Sequence, residues 1–272
     1  MWTRILVAVI FVPLLFVVLF WLPPVVLAGV LAGIAALMVC EMLRAVQFKG
    51  SVRVIAVTAV IAASAPFSVL LGGGETALYC TLFVLMFYLF TEGIAAYGGP
   101  RAIGAVELLA GLFVGGLIPF FLSVLVLLKM QDNGRYLVLL PFVTTFVSDS
   151  GAYFVGMALG KRKFIKVSPN KSLEGCIGGL VLCVAGVVLY GFVLNRAAGL
   201  PVHYWKLVVY GVCGNLATQI GDLAFSLIKR QFGVKDYGKI LPGHGGMLDR
   251  FDSLIFAAPV IYILTVLLPA IG

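Results

Sequence analysis

The chain has 272 residues, of which 62% are hydrophobic and 11% charged, with a mean hydropathy of +1.14 and a formal net charge of +8. A soluble domain carries about a quarter charged residues, so this chain has too little charge to cover a water-facing surface. That excludes a soluble globular protein, leaves an all-α, polytopic integral membrane protein, and gives no reason to expect a nucleic-acid partner.

Crossing a bilayer as a helix takes about 20 apolar residues. Nine segments are predicted to do so, at 5–21, 24–43, 54–72, 76–96, 104–128, 136–159, 175–194, 206–228 and 251–270. The first run, "ILVAVIFVPLLFVVLFWLPPVV", is longer than the apolar core of a secretory signal and lacks a small-residue cleavage pattern. Further spans follow it, so it is read as the first transmembrane helix. Pro23 and Pro24 mark one turn, and Gly72, Gly73 and Gly74 another. No soluble domain, extended linker or internal repeat interrupts the series. The chain therefore divides into residues 1–130, a scaffold of about five helices, and 131–272, which holds the remaining helices and the polar loops. The five cysteines, Cys40, Cys80, Cys176, Cys183 and Cys213, lie in apolar stretches without zinc spacing, as expected of reduced packing residues.

Placing the N-terminus on one side of the membrane assigns alternate loops to the two faces. That side receives Arg4, Arg44, Lys49, Arg53, Arg101, Lys161, Arg162, Lys163, Lys166, Lys171, Lys229, Arg230, Lys235, Lys239 and Arg250. The other receives Lys129, Arg135, Arg196 and Lys206, so fifteen of nineteen basic residues share one face. Cytoplasmic loops are enriched in Lys and Arg, which predicts a cytoplasmic N-terminus.

The richest polar loops, 160–174 and 229–252, both fall on that face. The eighth predicted helix runs "GNLATQIGDLAFSLIKR", with Asp222, Ser226 and Lys229 at i, i+4 and i+7 on one side. By helical rise Asp222 lies about 10 Å below Lys229. An ionised Asp at that depth costs about 2.5–3.5 kcal/mol and requires a cation, a metal or water. Asp249 and Asp252 open the ninth helix, again on one face. Three carboxylates at neighbouring helix ends suit Mg²⁺ or Mn²⁺. "KDYGKILPGHGG" between them supplies Gly243, Gly245 and Gly246 for close backbone approach to a ligand. Lys229, Arg230, Lys235, Lys239 and Arg250 surround it with positive charge. Together these features describe a phosphate-handling site that works by positioning and charge neutralisation. Upstream, Asp149 lies within the sixth predicted helix, about 15 Å from its cytoplasmic end. Lys161, Arg162, Lys163, Lys166, Ser168, Lys171 and Glu174 follow it. His203 reads as interfacial, and His244 sits in the glycine turn, where binding phosphate and orienting the loop are both open.

"SLIKRQFGVKDYGKILPGHGGMLDRFD" resembles the signature of the phosphatidate cytidylyltransferases, or CDP-diacylglycerol synthases. Ser226, Lys229, Arg230, Lys235, Asp236, His244, Gly245, Gly246, Asp249, Arg250 and Asp252 occupy its places. "DSGAYFVG" and "SPNKSLEG" resemble the family's other stretch, with Asn170 where lysine is common. The resemblance implies conversion of CTP and phosphatidate to CDP-diacylglycerol and pyrophosphate, in the bacterial inner (cytoplasmic) membrane. It assigns Asp222, Asp249 and Asp252 to Mg²⁺ or Mn²⁺, with room for a second cation, and makes Asp222, Lys229, Asp249 and Asp252 the catalytic group. Ser168, Lys171, Glu174, Ser226, Arg230, Lys235, Asp236, His244, Gly245, Gly246 and Arg250 are assigned to substrate. It also allows a homodimer. The alternatives are a CTP-dependent enzyme for another lipid phosphate, or an ion transporter using Asp149 and Asp222. Against the transporter, charge gathers at one face and no broken-helix repeat is visible. A CDP-alcohol phosphotransferase is expected to carry "DGxxAR…GxxxD…D", which is absent from the sequence.

Overall fold

A computed structural model of the chain describes residue 9 and residues 13–71, 74–163, 165–240 and 245–272. These residues form helices and loops, with two isolated bridges and no extended strand among them. The helices are α1 (13–20), α2 (Pro24–Ala45), α3 (Val52–Leu70), α4 (Gly74–Ala95) and α5 (Ala105–Met130). They continue as α6 (Gly134–Leu159), α7 (Leu173–Ala198), α8 (Tyr204–Gln231) and α9 (Leu248–Leu267). The fold class is all-α, as the hydropathy requires.

Six of these helices, α2, α3, α5, α6, α7 and α9, are long and apolar enough to cross a membrane. Three predicted spans are not among these six. The first, 5–21, lies in part outside the described residues, which show a helix over 13–20. α4 is a helix of 22 residues, Gly74–Ala95, whose described apolar part is Tyr79–Ala95. α8 is long enough at 28 residues, but Asn215, Thr218, Gln219, Asp222 and Ser226 dilute its apolar character.

Local chemistry sets the ends. Pro24 opens α2 at a position where its missing N–H is no loss. Ser172 caps α7, its hydroxyl accepting the Gly175 N–H at 3.1 Å, and Gly199 ends that helix with φ of +66°. α5 contains a π-helical turn at Phe113–Leu117.

By internal packing the chain forms two units. The first comprises Met1–Leu127 and Gln231–Phe251, and its core includes Leu27, Met38, Met42, Val54, Leu85 and Leu89. The second comprises Leu128–Arg230 and Asp252–Gly272, with Leu137, Cys183, Val187, Tyr210, Phe225 and Ile261 buried. The segment Gln231–Phe251 thus packs with the N-terminal helices. The five cysteines are free thiols; Cys183 is buried, but Cys80 lies exposed on the outer face of α4, where the sequence expectation was a packing residue.

Candidate active site

In the second unit, the acidic residues are mounted on helices that approach closely because small residues line their contacts. A Cβ on Gly179 of α7 would lie 2.9 Å from the Ser148 carbonyl oxygen of α6. One on Gly221 of α8 would lie 2.8 Å from the Asp252 carbonyl oxygen of α9. Glycine at both places lets backbones meet, as membrane helices commonly require. Polar side chains then cross-link the helices. Asn215 Nδ2 donates to Ser148 Oγ at 2.7 Å, and Gln219 Nε2 donates to Asn215 Oδ1 at 2.8 Å and to the Cys176 carbonyl at 3.0 Å. Such bonds in a membrane interior contribute roughly 0.6–2 kcal/mol each.

This ladder leads to the acids. Asp222 stands on α8 and forms an ion pair with Lys171, both side chains about three-quarters covered. Asp252 is 8% exposed, and its Oδ1 accepts the Ser253 N–H at 2.6 Å. Asp149 lies within electrostatic reach of Asp222, Asp252 and Lys171, and Asp252 within that of Lys229. Three carboxyl groups and two ammonium groups are thus electrostatically coupled among apolar helices. Hard oxygen donors of this kind fit an ion such as Mg²⁺. Among the described residues no three acids, histidines or cysteines form a ready-made ligand group.

The loop that delivers Lys171 is closed on itself. Glu174 accepts the N–H groups of Lys161 and Arg162 at 3.1 and 3.2 Å, and Leu173 N donates to the Arg162 carbonyl at 2.9 Å. Lys171 N donates to the Ser168 carbonyl at 3.0 Å. The carboxylate of Glu174, assigned to substrate by resemblance, here holds the loop's entry. Lys161, Arg162 and Lys163 remain exposed. Ser226 and Lys229 are half-buried, and Arg230 is exposed at the end of α8.

In the first unit, Asp249 lies in the first turn of α9, where its Oδ2 accepts the N–H groups of Tyr237 at 2.8 Å and Gly246 at 3.0 Å. Gly245 adopts φ of +85°, which a non-glycine residue rarely takes. A Cβ there would lie 3.1 Å from Asp249 Oδ2 and 3.6 Å from Asp236 Oδ1, so both carboxylates flank this turn. Lys235, Asp236 and Arg250 are exposed. His244 and Gly243 lie outside the described residues.

The chain matches the Cytidylyltransferase family over residues 2–268. It belongs to that family. Individual relatives of this cytidylyltransferase are named phosphatidate cytidylyltransferase. The Bacillus subtilis protein is 36% identical over 194 residues, covering 71% of this chain and 68% of the relative. That of Staphylococcus haemolyticus is 42% identical over 139 residues, covering 50% and 51%. That of Staphylococcus aureus strain COL is 43% identical over 141 residues, covering 51% and 52%. The matches thus span about two thirds of the first relative and about half of the other two.

Sequence reasoning passed over two parts of the site. The Ser148–Asn215–Gln219 ladder had a signal, amides within an otherwise apolar helix, that was not used. Glu41 of α2 had one as well, an acid inside "MVCEMLRA", and the structure buries it at 2% exposure against the loop that carries Asp249.

Proposed function

We propose that this membrane protein is a phosphatidate cytidylyltransferase, forming CDP-diacylglycerol and pyrophosphate from CTP and phosphatidate. The observation that carries the reading is the group of coupled carboxylates, Asp149, Asp222 and Asp252, set beside Lys171 and Lys229 in a chain of the cytidylyltransferase family.

In this reading a phosphate oxygen of phosphatidate attacks the α-phosphorus of CTP. The new oxygen–phosphorus bond forms as the bond from that phosphorus to the β-phosphate oxygen breaks, and pyrophosphate leaves with the electron pair. No nucleophilic side chain is needed, because the lipid brings its own oxygen. The protein's work is to hold two anions in line and to neutralise the charge between them. Lys171, Lys229 and Arg230 supply fixed positive charge, and the ladder through Asn215 fixes the helix that bears Asp222. Asp222 and Asp252 would hold a divalent ion, and the signature gives Asp249 a metal-binding role of its own. Such an ion, when bound, offsets phosphate charge and polarises the phosphorus centre. The basic bias of one face supports a cytoplasmic placement of the loops, where CTP is available.

The test is conversion of phosphatidate by the purified protein with CTP and Mg²⁺, followed through CDP-diacylglycerol and released pyrophosphate. Wild-type turnover that is lost in Asp222→Asn and Asp249→Asn, with both variants folded, is the expected result. Turnover of a polyprenyl phosphate in preference to phosphatidate would reassign the lipid, and absence of any CTP-dependent product would overturn the reading.

A further inference from the structure

"MVCEMLRA" places Glu41 in the last turns of α2, where the helix dipole disfavours an acid. The side chain is nonetheless buried, so something must hold its charge. Its partners are the first-turn amides of another helix. Glu41 Oε1 accepts the Met247 N–H at 2.9 Å, and Oε2 accepts the Leu248 N–H at 2.8 Å. Those N–H groups open α9 and have no intrahelical acceptor, so a carboxylate at the positive end of α9 offsets the misfit in α2.

The loop is built around this carboxylate. A Cβ on Gly246 would lie 2.6 Å from both Glu41 oxygens, and one on Gly238 would lie 2.7 Å from its Cδ. Two glycines on either side therefore leave the space that Glu41 fills. The amide of Gly246 goes to Asp249, while the next two go to Glu41. Glu41 and Asp249 thus hold three consecutive amides, 246–248, between them.

Resting on the cytidylyltransferase reading above, we propose that Glu41 is a positioning residue for nucleotidyl transfer, fixing through residues 246–248 the carboxylate of Asp249. It touches no substrate in this role. Its counterpart for comparison is Glu107, another buried acid of the same unit, which accepts the amides of Lys49 and Gly104 and holds no signature residue.

The test compares Glu41→Gln with Glu107→Gln in the purified full-length protein. A glutamine at 41 keeps one acceptor and turns an NH₂ group toward the second amide, and bonds to a charged acceptor are the stronger kind. Amide exchange across 245–250 should quicken at least about tenfold, and kcat should fall about tenfold or more, with KM for CTP within about twofold of wild type. Glu107→Gln should lower the unfolding midpoint without changing kcat or exchange at 245–250. Wild-type kcat in Glu41→Gln, or equal kcat losses in the two variants, would overturn the proposal. If Glu41→Gln fails to fold, Gly238→Ala displaces the same carboxylate and is held to the same outcomes. A wild type that consumes no phosphatidate sinks the enzyme reading alone. Unchanged exchange at 245–250 in Glu41→Gln sinks the role of Glu41 whatever the activity.

Discussion

Lys171, in the loop before α7, forms an ion pair with Asp222 on α8. The pair joins a basic loop to a carboxylate set among apolar helices, and it supplies that carboxylate with a counter-ion from within the chain. Removing one partner of a largely covered pair leaves the other charge uncompensated, which costs more than the pair contributes. Lys171→Met should therefore reduce kcat/KM by about 10–100-fold, and Lys171→Arg should recover part of the loss. Steady-state kinetics on the three proteins decide this; an unimpaired methionine variant would show the pair to be incidental.

Asp252 separates function from stability. Its carboxylate is buried, and neutralising it removes a desolvation cost. Asp252→Asn should hold or raise the unfolding midpoint while lowering kcat by about 100-fold or more. Thermal unfolding alongside turnover gives both numbers, and a variant that loses stability and activity in proportion would contradict the assignment.

Gly221 tests the geometry. An alanine there sets its Cβ against the α9 backbone, 2.8 Å from the Asp252 carbonyl and 3.1 Å from the Ser253 Cα. Backbone cannot swing aside as a side-chain tip can, so α8 and α9 must part locally. Destabilisation of about 1–3 kcal/mol is expected, together with loss of activity at temperatures where the protein remains folded. Denaturation and assay of Gly221→Ala measure both.

Chelation tests the ion. Stripping divalent cations should abolish CDP-diacylglycerol formation, Mg²⁺ or Mn²⁺ should restore it, and Ca²⁺ should do so poorly because it favours larger and looser oxygen shells. Persistent turnover after exhaustive chelation would remove the metal from the mechanism.

Much of the fold was legible because a bilayer imposes a length and a polarity on each crossing. The runs that became α2, α3, α5, α6, α7 and α9 are long and unbroken, and they need no partner to be recognised. α8 was harder, since the residues that dilute its hydropathy are those that cross-link it to α6 and α7. Asp222 and Asp252 stood out as acids in oil. That Lys171 pairs with Asp222 was not legible, because no periodicity links a loop residue to a helix that comes much later in the chain. Glu41 was the hardest, as its hydrogen-bond partners lie 206 and 207 residues downstream. A lone acid in a helix announces that a partner exists and says nothing about which one.

The glycine contact between α6 and α7 has a consequence for the lipid around it. Gly151, Gly175 and Gly179 bring backbone against backbone, with a Cβ on Gly175 lying 2.8 Å from the Ala152 carbonyl and 3.1 Å from the Gly156 Cα. Leu182 of α7 packs directly on Gly151, where a Cβ would lie 3.0 Å from the Leu182 Cβ, so the joint is closed by backbone and a side chain seated against it. When bilayer thickness changes, such a pair tilts as one plate, and its members do not slide past each other. Ser148, which accepts the Asn215 amide, is thus carried on a helix braced against α7 by backbone contact.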